Sequence, residues 1–198
     1  MKRINSDTSH IPLERHPFPP YVPHNAKVLI MGTFPPQPKR WAMTFYYPNR
    51  TNDFWPMMGL IFCGDRRALL NPDGKTFNLN QIKSLLNQFG IAMSDTGFEV
   101  RRLMDNASDK YLEIVTPAPL HKLLDRMPLC RAIATTGEKA ADVIASLTHT
   151  QPPGMGKMVP ISDTVSHWRM PSTSRAYPLP LEQKAAYYAE MFRHSGLL

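Results

Sequence analysis

The chain has 198 residues, with 23 Lys and Arg against 16 Asp and Glu, a formal charge of +7 with His neutral. That length predicts one domain, and a hydrophobic share of 42% supplies a core, which excludes disorder throughout. No apolar run approaches the ~20 residues that cross a bilayer, and the opening Met1-Lys2-Arg3-Ile4-Asn5-Ser6-Asp7 has no signal-type apolar stretch, so an intracellular protein with no membrane partner is expected.

In chain order, residues 1–26 are rich in Pro and polar side chains, and Phe18-Pro19-Pro20-Tyr21-Val22-Pro23 predicts an extended, partly ordered arm leading into one domain over 27–198. Lys27-Val28-Leu29-Ile30-Met31-Gly32 is a short apolar run closed by Gly, the pattern of a buried strand that meets a loop. After Asn52, the spacing of Phe54, Met58, Ile61 and Phe62 predicts a helix that tolerates Pro56 because it falls in the first turn. Leu79, Ile82, Leu86 and Phe89 predict a second helix, with Gly90 just past its end. Ile91-Ala92-Met93 follows as a strand and Leu120 to Met127 as a helix.

Arg131 to Gly137 reads as a strand feeding a tight turn, and Ala140, Ala141, Ile144 and Leu147 give the next helix its apolar stripe. His149 to Pro160 reads as a loop, Thr164 to Met170 as the last strand, and Leu181, Ala185, Tyr188 and Phe192 as the face of a closing helix. Strands alternating with helices predict an α/β fold with a mainly parallel sheet covered on both faces. In such folds ligands sit beyond the carboxyl ends of the strands. Attention therefore falls on 32–52, Asp95, Thr136-Gly137 and 171–177.

Several chemistries are missing. Cys63 and Cys130 form no C-x-x-C pair, so buried free thiols are expected rather than a disulfide or zinc cluster. There is no G-x-x-x-x-G-K-[ST], no G-x-G-x-x-G, no H-E-x-x-H and no G-x-S-x-G, and His167 beside Trp168 reads as a packed or surface residue. No metal and no cofactor are expected. The basic balance suits a polyanionic partner, since phosphates attract Lys and Arg and binding releases counterions.

What remains is an aromatic and amide-bearing loop, Phe45-Tyr46-Tyr47-Pro48-Asn49-Arg50-Thr51-Asn52-Asp53-Phe54-Trp55, and a late Met170-Pro171-Ser172-Thr173-Ser174-Arg175 segment. Together with Val28 to Gly32, these motifs resemble those of the uracil-DNA glycosylase superfamily, nearest its hypoxanthine and mismatch-specific thymine/uracil branches. Order and separation match from about Phe18 to Phe192. The resemblance implies a three-layer α/β/α fold around a mainly parallel four-stranded sheet, a monomer, and DNA with a damaged or mismatched base as partner.

The resemblance also implies roles for particular residues. Where the mismatch and uracil branches carry a catalytic Asn or Asp, this chain has Phe34, which cannot position water. The hypoxanthine-type branch uses the Asn of its Asn-x-Phe-Trp motif instead, which maps onto Asn52, with Asp53 as a second catalytic candidate. Tyr47 is the expected stacking platform, with Tyr46 or Phe45 as a substitute if the loop is shifted. Gly32, Thr33 and Phe34 would meet the base through their backbone, and Pro171, Ser172, Thr173, Ser174 and Arg175 would meet DNA. Plain alternatives stand beside these roles: Asn52 suits a helix cap, Phe45 to Tyr47 suit core packing, the Ser-Thr-Ser stretch suits a turn, and Asp95 suits a cap or a brace. A noncatalytic nucleic-acid module, or an α/β enzyme of small molecules, are the alternative functions.

Overall fold

The computed structural model describes residues 8–104 and 109–198. Residues 1–7 of the expected arm, including the opening heptapeptide, lie outside the described residues. The main sheet has five strands in the order β3-β2-β6-β8-β7. These are β2 (Val28–Gly32), β3 (Ile91–Asp95), β6 (Ala132–Thr136), β7 (Met158–Pro160) and β8 (Ser166–Met170). Four run parallel, while β7 joins the edge antiparallel to β8. The expected four-stranded sheet is thus corrected to a five-stranded mixed one. The extra strand lies inside the stretch read as a loop, where Pro160 is tolerated because an edge strand needs no donor on its outer side.

The all-apolar run of β2 reflects burial on both faces. Val28 and Ile30 join one core with Phe54, Trp55, Ile82, Leu86, Tyr188 and Phe192, whereas Leu29 and Met31 join another with Leu120, Leu123, Ile133 and Ile144. Helices α1 (Phe54–Cys63), α2 (Leu79–Phe89) and α5 (Leu181–His194) cover the first face; α3 (Leu120–Asp125) and α4 (Glu138–Thr148) cover the second. Fully burying each such side chain is worth about 1.5–3 kcal/mol. Pro56 stands in the first turn of α1. Gly90 ends α2 at φ 66°, a left-handed conformation that costs Gly nothing.

A second sheet, β1-β4-β5, is built from β1 (Leu13–Arg15), β4 (Gly97–Arg102) and β5 (Leu112–Pro117), all antiparallel. Its signature is cross-strand charge rather than apolar alternation: Arg15 pairs with Glu99, Arg101 with Glu113 and Arg102 with Glu14. Part of the leading arm is therefore woven into the fold. Beyond β1, Phe18 is buried and Tyr21 exchanges both backbone hydrogen bonds with Met93. Cys130 is buried and Cys63 is exposed, which corrects the expectation of two buried thiols. No helix among the described residues is long and apolar enough to cross a membrane.

Candidate active site

The strand order reverses beside β2: β3 lies on one side, and β6 then β8 on the other. The crevice beyond the carboxyl ends of these strands is where this architecture binds ligands. A cavity of ≈ 640 Å³ opens there, walled by the Gly32 loop, Tyr47 and Asn52, the ends of β3 and β6, and residues 172–178. Gly32 and Asp95 are partners in register at the last rung of β2 and β3. A Cβ on Gly32 would stand 2.6 Å from Asp95 Oδ1 and 3.1 Å from the Tyr47 hydroxyl oxygen, so glycine is what lets both polar atoms close on the same corner.

Tyr47 is held there by three constraints. Its backbone adopts φ 51°, its ring lies on Phe54 at 3.8 Å between centroids and 13° between planes, and its hydroxyl shares a 2.8 Å hydrogen bond with Thr136 Oγ1. Burial, reinforced by the charge of Asp95, pushes the phenol well above its usual range, so it stays protonated. Phe54 backs one face of a ring that lines the cavity. Tyr46 points elsewhere: it is fully buried, and its hydroxyl donates to the Pro19 carbonyl at 3.2 Å. The structure keeps Tyr46 in the core and brings Tyr47 to the cavity.

Asn52 stands one residue before the N-cap position of α1, which Asp53 occupies. Its Oδ1 accepts the Phe54 N–H at 2.9 Å, and the residue stands in the cavity wall. That turn bond fixes the carboxamide's direction while leaving a second lone pair on Oδ1 and the Nδ2 hydrogens. One side chain thus both shapes the turn into α1 and stands in the cavity wall.

Asp53 is turned away. Lys184 Nζ donates to its Oδ2 at 2.9 Å and Arg175 Nε to its Oδ1 at 3.2 Å, and Asp53 is absent from the cavity wall. Lys184 is fully buried and also donates to the Ser174 carbonyl at 2.8 Å. The Asp53 N–H donates to the Thr173 carbonyl at 2.9 Å. The start of α1 and the late serine loop are thereby clamped together. Ser172, Thr173, Ser174 and Arg175 line the cavity, while Pro171 is buried and its carbonyl accepts the Tyr188 hydroxyl at 3.0 Å. Ser172 and Ser174 hydroxyls each accept a backbone N–H two residues on, at 3.2 Å, which shapes the turn.

Gly32, Thr33 and Phe34 all line the cavity, with the carbonyls of Gly32 and Thr33 tied to the Thr96 and Gly97 N–H groups. Phe34 packs edge-on against His16, 5.2 Å between centroids. His16 is not itself in the cavity wall, and nothing in the sequence singles it out. It comes from the arm, and its Nε2 donates to Asp95 Oδ2 at 2.9 Å, leaving Oδ1 at the Gly32 corner. Asp109, whose Oδ2 accepts the Thr33 hydroxyl at 2.9 Å, and the rim cations Arg40, Arg102 and Lys110 were missed too. Lys184 did leave a trace: it falls three residues after Leu181 and four before Tyr188, on the apolar stripe of α5. His167, in contrast, is buried away from the cavity, with Nε2 3.0 Å from Thr135 Oγ1.

Among the described residues no group of His, Cys, Asp and Glu is arranged to hold a metal ion. No family model matches the chain, and no curated protein matches it significantly. Among solved structures, it is similar to a protein of Methanosarcina acetivorans described as a "putative Uracil DNA glycosylase", with 19% identity, a TM-score of 0.61, and coverage of 93% of this chain and 99% of that one. At that identity the likeness establishes the α/β fold, shared over nearly the whole of both chains.

Proposed function

We propose that the protein is a monofunctional, monomeric DNA glycosylase that hydrolyses the N-glycosidic bond of a deaminated or mismatched base, hypoxanthine and uracil being the first candidates. The single observation that carries this reading is the convergence of Asn52, Tyr47 and the Gly32 corner with Ser172 to Arg175 around one cavity. A stacked base is inaccessible in duplex DNA, so it is extruded at a cost of a few kcal/mol, least for a mispaired one. The extruded ring stacks on the face of Tyr47 that Phe54 leaves free, and its polar edge meets the Gly32 to Phe34 backbone and Asp95 Oδ1.

As the bond from C1′ to the base nitrogen breaks, its electron pair leaves with the base and the sugar takes on oxocarbenium character. Water then bonds to C1′ and releases a proton, and the base departs protonated, leaving an abasic site. A carboxamide does not titrate usefully, so Asn52 contributes by orienting that water rather than by removing its proton. With both oxygens engaged by cations, Asp53 acts as a positioning residue that holds Asn52 against the serine loop. No metal or cofactor takes part in this scheme.

Labelled duplexes carrying hypoxanthine, uracil or a thymine mismatch, incubated with the protein and treated with alkali, test the reading. Strand cleavage at the modified position is expected for at least one of them. Salt-dependent binding with no cleavage of any would replace it with the noncatalytic nucleic-acid module.

A further inference from the structure

Two guanidinium groups that play no part in the cavity gather beside its mouth. Arg50 lies between Asn49 and Thr51, both in the cavity wall, yet its own side chain turns outward to the 71–77 turn. One terminal nitrogen donates to the Gly74 carbonyl at 3.0 Å, and its carbon sits 5.6 Å above the Phe77 ring. Arg67 reaches the same turn, with a terminal nitrogen 3.4 Å from where a Cβ of Gly74 would stand. On the cavity side stands Arg175, whose side chain is 52% exposed. Burial, and then the charges of Arg175 and Arg67, pull the Arg50 guanidinium below its ordinary value, as expected for like charges held close together.

The local carboxylates are otherwise committed. Asp73, whose field reaches Arg50, uses its oxygens on the Lys75 and Thr76 N–H groups and the Thr76 hydroxyl. Asp65 accepts the backbone N–H of Arg67. Among the described residues, no carboxylate lies within ion-pair distance of Arg50 or Arg67. Arg50 Nε is enclosed with no hydrogen-bond partner. Of these three guanidinium groups only Arg175 has an ion-pair partner among the described residues, an Asp53 it shares with Lys184, and on a chain of charge +7 the cluster suits an anion from outside.

We propose that Arg50, Arg67 and Arg175 form a phosphate track, which leads the phosphodiester backbone of DNA away from the cavity mouth and across the Gly74 turn. The track rests on the reading of the cavity as a DNA site and extends it: the strand carrying the extruded nucleotide is gripped on the side of the 65–77 segment. Planar guanidinium forks suit phosphate oxygens, and contacts of this kind fix position without reading sequence.

The test is binding of a labelled, undamaged duplex across a series of salt concentrations, for the wild type, Arg67→Gln and Arg126→Gln. Arg67 is exposed, so its replacement leaves folding alone, which a thermal melt verifies. Arg126→Gln removes the same charge from the other face of the sheet, beyond α3. Arg67→Gln should raise Kd about fivefold and flatten the slope of log K against log salt by about one. Arg126→Gln should match the wild type in both. Equal behaviour of Arg67→Gln and wild type, or an equal effect of Arg126→Gln, overturns the track. Because the duplex is undamaged, the outcome is separate from base release: a wild type that binds with the expected slope difference but frees no base contradicts the glycosylase alone.

Discussion

The corner where Gly32, Asp95 and Tyr47 meet has no room for one more carbon. Gly32→Ala would place a methyl 2.6 Å from Asp95 Oδ1, and that carboxylate cannot swing freely because His16 holds its other oxygen. The expected cost is about 1–3 kcal/mol of stability, read by denaturant titration, with a larger proportional loss of base release. At this scale the sequence was half legible. Asn52 and Tyr47 stand out in the sequence through the motif, and both line the cavity from one loop. His16 gave no signal, because a single His in a Pro-rich arm acquires meaning only when β1 carries it across to Asp95. Asp95 was noticed for its place after β3, but its neighbour was not foreseeable.

Between elements, the serine loop and the start of α1 are joined through one buried cation. Lys184 is wholly enclosed and Asp53 nearly so, and an enclosed carboxylate that loses its partner is expensive, typically about 3–5 kcal/mol. Lys184→Met leaves Arg175 on Oδ1 and should therefore lower stability by less than that, about 1–3 kcal/mol. Adding Asp53→Asn should recover a substantial part of it, a non-additivity measurable as a double-mutant cycle. If the two substitutions merely add, the clamp has no energetic content. The helices of the main layers were readable from apolar spacing, because each has one clear buried face. The β4 and β5 pair was not, since neither Gly-Phe-Glu-Val-Arg-Arg nor Leu-Glu-Ile-Val-Thr-Pro has a clean period of two, and the large side chains they bury are chiefly Val100 and Leu112. β7 escaped for a related reason: three residues on an edge, ending in Pro160, carry too little pattern to distinguish strand from loop.

For the molecule as a whole, the buried His167 sets an acid limit. Burial pulls its imidazole down to about 4 from an ordinary 6.5, so the folded state binds the proton less readily than the unfolded one. The stability it supports is present above pH 6.5 and drains away as pH falls toward 4, by about 3 kcal/mol in all. Thermal melts between pH 7 and 4 should follow that decline, and His167→Gln, which keeps a partner for Thr135 but cannot charge, should flatten it. An unchanged profile in the variant would assign the acid sensitivity to other groups. The α/β class followed from alternating strands and helices, and a cavity does open at the strand ends. The pairing of β1 with β4 did not, being assembled from segments distant in sequence.

The most direct measurement is single-turnover release of hypoxanthine and of uracil from duplex DNA by the wild type and by Asn52→Ala, with binding of the same duplexes followed in parallel. The wild type should free at least one of the two bases, and the alanine variant should be slower by about a hundredfold or more at nearly unchanged affinity. Release at the wild-type rate by Asn52→Ala would contradict a water-orienting carboxamide at position 52.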